Sequence, residues 1–334
     1  MSAWDGFGRG RHDAITDVAG VRVGHWTDRR GGTGCTVVLC ETAQVAAVDA
    51  RGGAPGTRET DVLAGPNLVR TCHAIALCGG SAFGLDAAGG VARYLAEQDV
   101  GFETTAGKVP IVSGAVLFDL AVGKNTAPTA DSGYKAAKRA KGGAVERGSV
   151  GAGTGATAAK ILGHEHCIKS GVGTASVTGP RGLVAGAIVA ANPSGIVVDP
   201  SDGRTVAGVR GDEAGWLALH EALERRRAEM DALVEHTTLV CVATNAKVDH
   251  AQAQRLAYQA QNGIARTILP AHTMGDGDVA FVAAMGEVET RPHDGLALGA
   301  MVTLAVERAV LDAINSASGL HGIPSSAEWC GTKA

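Results

Sequence analysis

A threonine pair, Thr237-Thr238, stands where the most charged stretch of the chain, GDEAGWLALHEALERRRAEMDALVEH (211–236), passes directly into the apolar run LVCVAT. An ordinary threonine hydroxyl is a poor nucleophile. One that also bears a free α-amino group, whose reference pKa is roughly 7.7–8.0, carries its own base beside it. Downstream, HTMGDGDVAF sets Asp276 and Asp278 two residues apart, with Gly275 and Gly277 beside them. In an extended segment, alternation points both carboxylates to one side, and the glycines let the backbone approach a reacting centre closely. Taken alone the string is also a simple turn, and the further oxygen ligands of a calcium loop are missing. Asn192, in AANPSG, follows an apolar run, and Lys160 closes the glycine-rich GAGTGATAAK. Without further context a plain turn for the first and a surface place for the second weigh evenly against a role in a site. GAGTGATAAK lacks the GxxxxGK[ST] spacing and is not an intact GxGxxG, so nucleotide binding is not supported. His164-Glu165-His166-Cys167 points adjacent side chains in different directions with no second ligand group following, a surface turn rather than a zinc site.

Positioning these residues requires a layered scaffold. Apolar, β-branched runs at 20–24, 35–39, 45–48, 74–78, 185–190, 195–198, 238–244 and 279–284 read as strands, several of them buried on both faces. Helical patterns fall at 82–97, where Leu85, Ala88, Val91 and Leu95 share a face, and at 134–140, 156–162, 213–235, 249–267 and 292–317, with Asp249 as an N-cap. Strands mixed with long helices make the chain α/β or α+β. Arg225, Arg226 and Arg227 in a row read as a solvated helix face.

The chain has 334 residues, 45% of them hydrophobic, which is enough to bury a large core. Aromatics are only 4% against 48 glycines, so the core is expected to consist of Ala, Val, Leu and Ile in closely approaching layers. A formal net charge of −4 gives no electrostatic footprint for nucleic acid or an anionic membrane. No secretory h-region and no long uncharged apolar run are seen, so a soluble, cytoplasmic protein is expected. Seven cysteines without a CxxC are expected to be reduced core residues, Cys241 among them.

The stretch 236–281 resembles the DmpA-type family of self-processing N-terminal nucleophile hydrolases, which includes β-aminopeptidases and nylon-oligomer hydrolases. So do ITDVAGVRVGH (15–25), TGCTVVL (33–39), RGGAPGTRETD (51–61), HAIALCGGSAFGLDAAGGVARYL (73–95) and GAGTGATAAKILG (151–163), so the resemblance spans nearly the whole chain. It implies a four-layer αββα sandwich, the architecture also of ornithine acetyltransferases. It further implies cleavage between His236 and Thr237 into fragments 1–236 and 237–334 that stay together as one folded unit, and a homo-oligomer, commonly a tetramer. In the cleavage step the Thr237 oxygen would attack the His236 carbonyl, pass through an ester, and emerge with a free amine when water hydrolyses it. A cut shifted by one residue would place Thr238 there instead. The family more often shows Asn or Gly before the cut, so His236 is a departure.

By the same resemblance, Asn192 and Lys160 support the charge of the tetrahedral intermediate, and Asp276 and Asp278 orient the threonine and its amine. Two aspartates, rather than a Ser and a Glu, place the chain on the threonine branch. Phe118 stands where the family often has a tyrosine. The expected reaction is hydrolysis of a small peptide or amide without metal or organic cofactor. Two rivals lead to different outcomes: an acyltransferase related to ornithine acetyltransferases, which would pass the acyl group to ornithine, and a noncatalytic assembly protein, which would never cut.

Overall fold

The computed structural model describes residues 4–212, 215–229 and 236–331. Ten strands form two five-stranded sheets: β1 Arg22–Asp28, β2 Thr33–Leu39, β3 Val45–Ala50, β4 Gly56–Arg58, β5 Ala74–Cys78, β6 Val112–Val116, β7 Val172–Thr178, β8 Val184–Asn192, β9 Thr237–Lys247 and β10 Val279–Glu289. One sheet runs β1-β2-β5-β6-β4, and the other β7-β8-β9-β10-β3. Each is antiparallel except for one central parallel pair, β5 with β6 and β9 with β10. The principal helices are α1 Ala87–Glu97, α2 Ala130–Lys138, α3 His250–Thr267 and α4 Asp294–Asn315.

Period-two alternation sorts the strand residues into three apolar layers. In β2, Val37 and Leu39 face outward onto Val91 and Leu95 of α1 and Ala136 of α2, while Val38 faces inward. In β9, Leu239 and Cys241 face inward, meeting Val38, Ile75 and Leu77 of the other sheet in a middle core that also takes Phe281. Val240 and Val242 face outward onto Leu256 and Ile264 of α3 and Val302 and Val306 of α4. The result is the expected α/β/β/α sandwich, in which small side chains let the layers approach closely.

Every strand expected from an apolar run is present, and α3 begins where expected, the Asp249 carboxylate accepting the Gln252 N–H at 2.8 Å. Strands β6 (VSGAV) and β7 (VGTASVT) escaped notice because glycine, serine and threonine dilute their hydrophobic signal. The helix expected over 156–162 does not form. Thr157–Ala158 is a short strand paired with Ile168–Lys169, and Ala159 sits at φ +57°, which no right-handed helix accommodates. Of the helix expected over 213–235, Leu219–Glu229 is helical, whereas 213–214 and 230–235 lie outside the described residues. Its Arg225 pairs with Glu221 at the surface, but Arg226 turns in to the Ile161 carbonyl, and the Arg227 side chain is outside the description. Six cysteines are buried, Cys241 in the middle core; Cys330 departs from the expectation by being exposed. No helix among the described residues is long and apolar enough to cross a membrane.

Candidate active site

Strand β9 opens at Thr237 where β8 closes at Asn192, and the antiparallel register sets the two residues directly opposite one another. Thr237 is buried at this sheet end. Its hydroxyl donates to the carbonyl oxygen of His236, and the Gly277 N–H donates to that same oxygen at 2.7 Å. The carbonyl of the His236–Thr237 bond is therefore polarised by a fixed backbone donor while the threonine hydroxyl lies against it. Gly277 must be glycine for this approach: a Cβ there would stand 2.7 Å from Thr237 Oγ1 and 2.8 Å from the Ala54 carbonyl oxygen.

The two aspartates take different partners. Asp278 Oδ1 accepts the Thr238 N–H at 2.6 Å, and its Oδ2 accepts the His272 backbone N–H at 3.0 Å and the imidazole Nδ1–H at 2.8 Å. Asp276 Oδ2 accepts both the N–H and the hydroxyl of Thr273, at 2.7 and 2.6 Å. Burial pushes the Asp276 carboxyl above its ordinary range and the neighbouring Asp278 adds to the rise, while Thr273 and the Lys160 charge hold it back. A loop from RGGAPG clamps the segment from outside: Arg51 N–H donates to Asp278 O and Ala54 N–H to Asp276 O, each at 2.9 Å. Gly52 lies so near that a Cβ would stand 2.2 Å from Asp276 O.

On the β8 side, the Asn192 side chain is fully buried. Its Oδ1 accepts Lys160 Nζ at 2.6 Å and the Thr157 N–H at 3.0 Å, while its Nδ2 donates to the Phe118 carbonyl at 3.1 Å. Lys160 Nζ also donates to Asn192 O at 2.9 Å. These partners fix the amide orientation, nitrogen toward Phe118 and oxygen toward the lysine. Phe118 takes part through its backbone.

Thr237, Asn192, Lys160, Asp276, Asp278 and His236, gathered from four separate stretches of sequence, thus meet at one sheet end. What sequence reasoning missed is the layer that holds them. His272, at φ +57°, and Thr273 stand in the same HTMGDGD string as the aspartates, and Thr157 lies in GAGTGATAAK, so the strings carried the signal. The Gly277 N–H left none, because a backbone donor has no side-chain signature. His164–His166 is a short 3₁₀ turn, and no group of His, Cys, Asp or Glu among the described residues is placed to hold a metal ion.

A threonine opening a central strand of an α/β/β/α sandwich, with an asparagine, a lysine and two aspartates around it, is an arrangement suited to amide hydrolysis. A family model described as Peptidase family S58 matches residues 13–327, and the chain belongs to that family. It is 41% identical to an uncharacterized aminopeptidase of Mycobacterium leprae, over 96% of this chain and 94% of that one. It is 31% identical to a 6-aminohexanoate-oligomer endohydrolase of a Kocuria species, over 92% of this chain and 84% of that one. The solved L-aminopeptidase D-Ala-esterase/amidase of Ochrobactrum anthropi superposes with a TM-score of 0.72 at 20% identity, over 94% of this chain and 89% of that one, and is described as a variant of the Ntn hydrolase fold.

Proposed function

We propose that the protein cuts its own chain between His236 and Thr237 and then uses the Thr237 hydroxyl, with its new α-amine as base, to hydrolyse a small peptide or amide. The observation that carries this is the paired engagement of the His236 carbonyl oxygen by the Gly277 N–H and the Thr237 hydroxyl. Attack at that carbonyl carbon would form an ester as the peptide C–N bond breaks, the proton passing to the departing Thr237 nitrogen. Water would then release the His236 carboxylate and restore the hydroxyl. In turnover the hydroxyl attacks the substrate carbonyl, and the α-amine takes the hydroxyl proton and returns it to the leaving amine. Asn192 and Lys160 support the oxyanion. Asp278, bonded to the Thr238 N–H, fixes the backbone beside the nucleophile, and Asp276 holds the loop that carries Gly277. A cytoplasmic location belongs to the same reading, as does a homo-oligomer, a tetramer in form, which rests on the family resemblance.

Intact-mass measurement tests the central step. Purified wild-type protein is expected to yield fragments beginning at Met1 and at Thr237, and Thr237→Ala to stay whole. A wild-type chain still uncut after prolonged incubation would overturn self-activation, and a second fragment beginning at Thr238 would move the nucleophile by one residue.

A further inference from the structure

Two fully buried charged side chains lie one residue away from the backbone groups that hold Asn192, without any part in the chemistry just described. Lys169, 0% exposed, donates from Nζ to the carbonyls of Gly153 and Ala156, each at 2.8 Å, and to that of Ser170 at 2.5 Å. Asp119, 1% exposed, accepts the Gly80 N–H on Oδ1 at 2.6 Å. The glycine-rich turn 153–157 touches both. Lys169 holds it by two carbonyls, and Gly155 packs on Asp119 so closely that a Cβ there would stand 2.6 Å from the Asp119 Cβ.

What this turn and this aspartate adjoin gives the pair its meaning. The turn ends at Thr157, whose N–H holds the oxygen end of the Asn192 amide, and Asp119 follows Phe118, whose carbonyl holds the nitrogen end. A buried charge is costly unless paired and hydrogen-bonded, and a short turn can be packed without one. We infer that Asp119 and Lys169 are positioning residues for Asn192: together they fix the two backbone segments that hold its amide beside Thr237. The inference rests on the reading of Asn192 as oxyanion support. The titration of the pair agrees with it. Burial pulls the Lys169 ammonium down to about 7, opposed by Asp119, and pushes the Asp119 carboxyl up to about 7, opposed by the Gly80 N–H, then the Thr33 hydroxyl, then the Lys169 charge. Each charge favours the other at a distance, and the three carbonyl acceptors need the three N–H donors that only the ammonium has.

The test is a mutant cycle on the self-processed protein, using the amino acid anilide that the wild type hydrolyses fastest. Lys169→Met, Asp119→Asn and Asn192→Ala are made singly and in pairs, with kcat, KM and the rate of appearance of the Thr237 fragment measured for each. Losing an oxyanion donor costs about 10²–10³ in kcat, so Lys169→Met and Asp119→Asn are expected to lower kcat at least ~30-fold while KM stays within ~3-fold. Residues acting through one group are strongly non-additive, so on the Asn192→Ala background the same changes are expected to cost less than ~3-fold. A purely structural role would instead multiply through in full, or lower folded yield with kcat intact, and either result overturns the inference. Asp119→Asn keeps the shape and the Gly80 acceptor, so it carries the test should Lys169→Met fail to fold. Wild-type kcat in Asn192→Ala alone would remove the parent reading, a different failure from an inert pair beneath a critical asparagine.

Discussion

Gly277 meets two demands that no other residue can meet together. Its N–H must reach the His236 carbonyl, and its Cα must leave room for the Thr237 hydroxyl on one side and the Ala54 carbonyl on the other. Its backbone is not in the left-handed region, so the demand is for space and not for conformation. Gly277→Ala should therefore force the donor and the hydroxyl apart. Overpacking of this kind costs about 1–3 kcal/mol, and self-cleavage followed by mass spectrometry should slow at least ~10-fold; cleavage at the wild-type rate would show that this donor is dispensable. The contrast with Thr237 shows what sequence can carry. A threonine at the border of a charged stretch and a buried strand is conspicuous, and so are two aspartates among glycines. The contact between the Gly277 amide and the His236 oxygen exists only once β9 and the 272–278 segment lie side by side. The separate partners of Asp276 and Asp278 were equally hidden, since alternation places both on one side and cannot reveal that Thr273 claims one and Thr238 with His272 the other.

Among the elements, legibility followed side-chain bulk. β2, β8, β9 and β10 announce themselves through Val, Ile, Leu and Phe, whereas β6 and β7 are made of residues small enough for close layer packing and so look like loops. The 156–162 segment misled in the opposite direction: its alanines suit a helix, but the turn before it is committed to carrying Thr157 and Lys160 to Asn192. Helix α3 is the clearest case of a local rule that held. Asp249 accepts from Gln252 N–H, and the Gln252 side chain accepts in return from Asp249 N–H, both at 2.8 Å. Asp249→Ala is expected to lower unfolding free energy by about 1 kcal/mol in urea titration. Strand β9 rises roughly 3.3 Å per residue, and α3 follows its far end, so the same variant should hydrolyse substrate at the wild-type rate. A matching loss of activity would mean that the helix start is coupled to the site.

For the whole molecule, the question is what breaking the His236–Thr237 bond would do to a sandwich whose central strand begins there. β9 is hydrogen-bonded on both edges, antiparallel to β8 from Thr237 to Thr244 and parallel to β10. Its Leu239 and Cys241 belong to the middle core and its Val240 and Val242 to the outer one, all fully buried. Burying one such side chain is worth roughly 1.5–3 kcal/mol; β9, α3, β10 and α4 lie on the C-terminal side of the His236–Thr237 bond, while β3, β7 and β8 of the same sheet lie on the other. Neither side of that bond can keep its layer without the other, so halves cleaved there would remain interleaved. Processed protein is expected to migrate as one species in native size-exclusion chromatography and as two in a denaturing gel. In urea, fragment separation and loss of the helical circular dichroism signal should follow one coincident transition. Fragments that part on dilution while the signal persists would show that the two sides of the cut fold independently, and the sandwich would then be an assembly of separable halves.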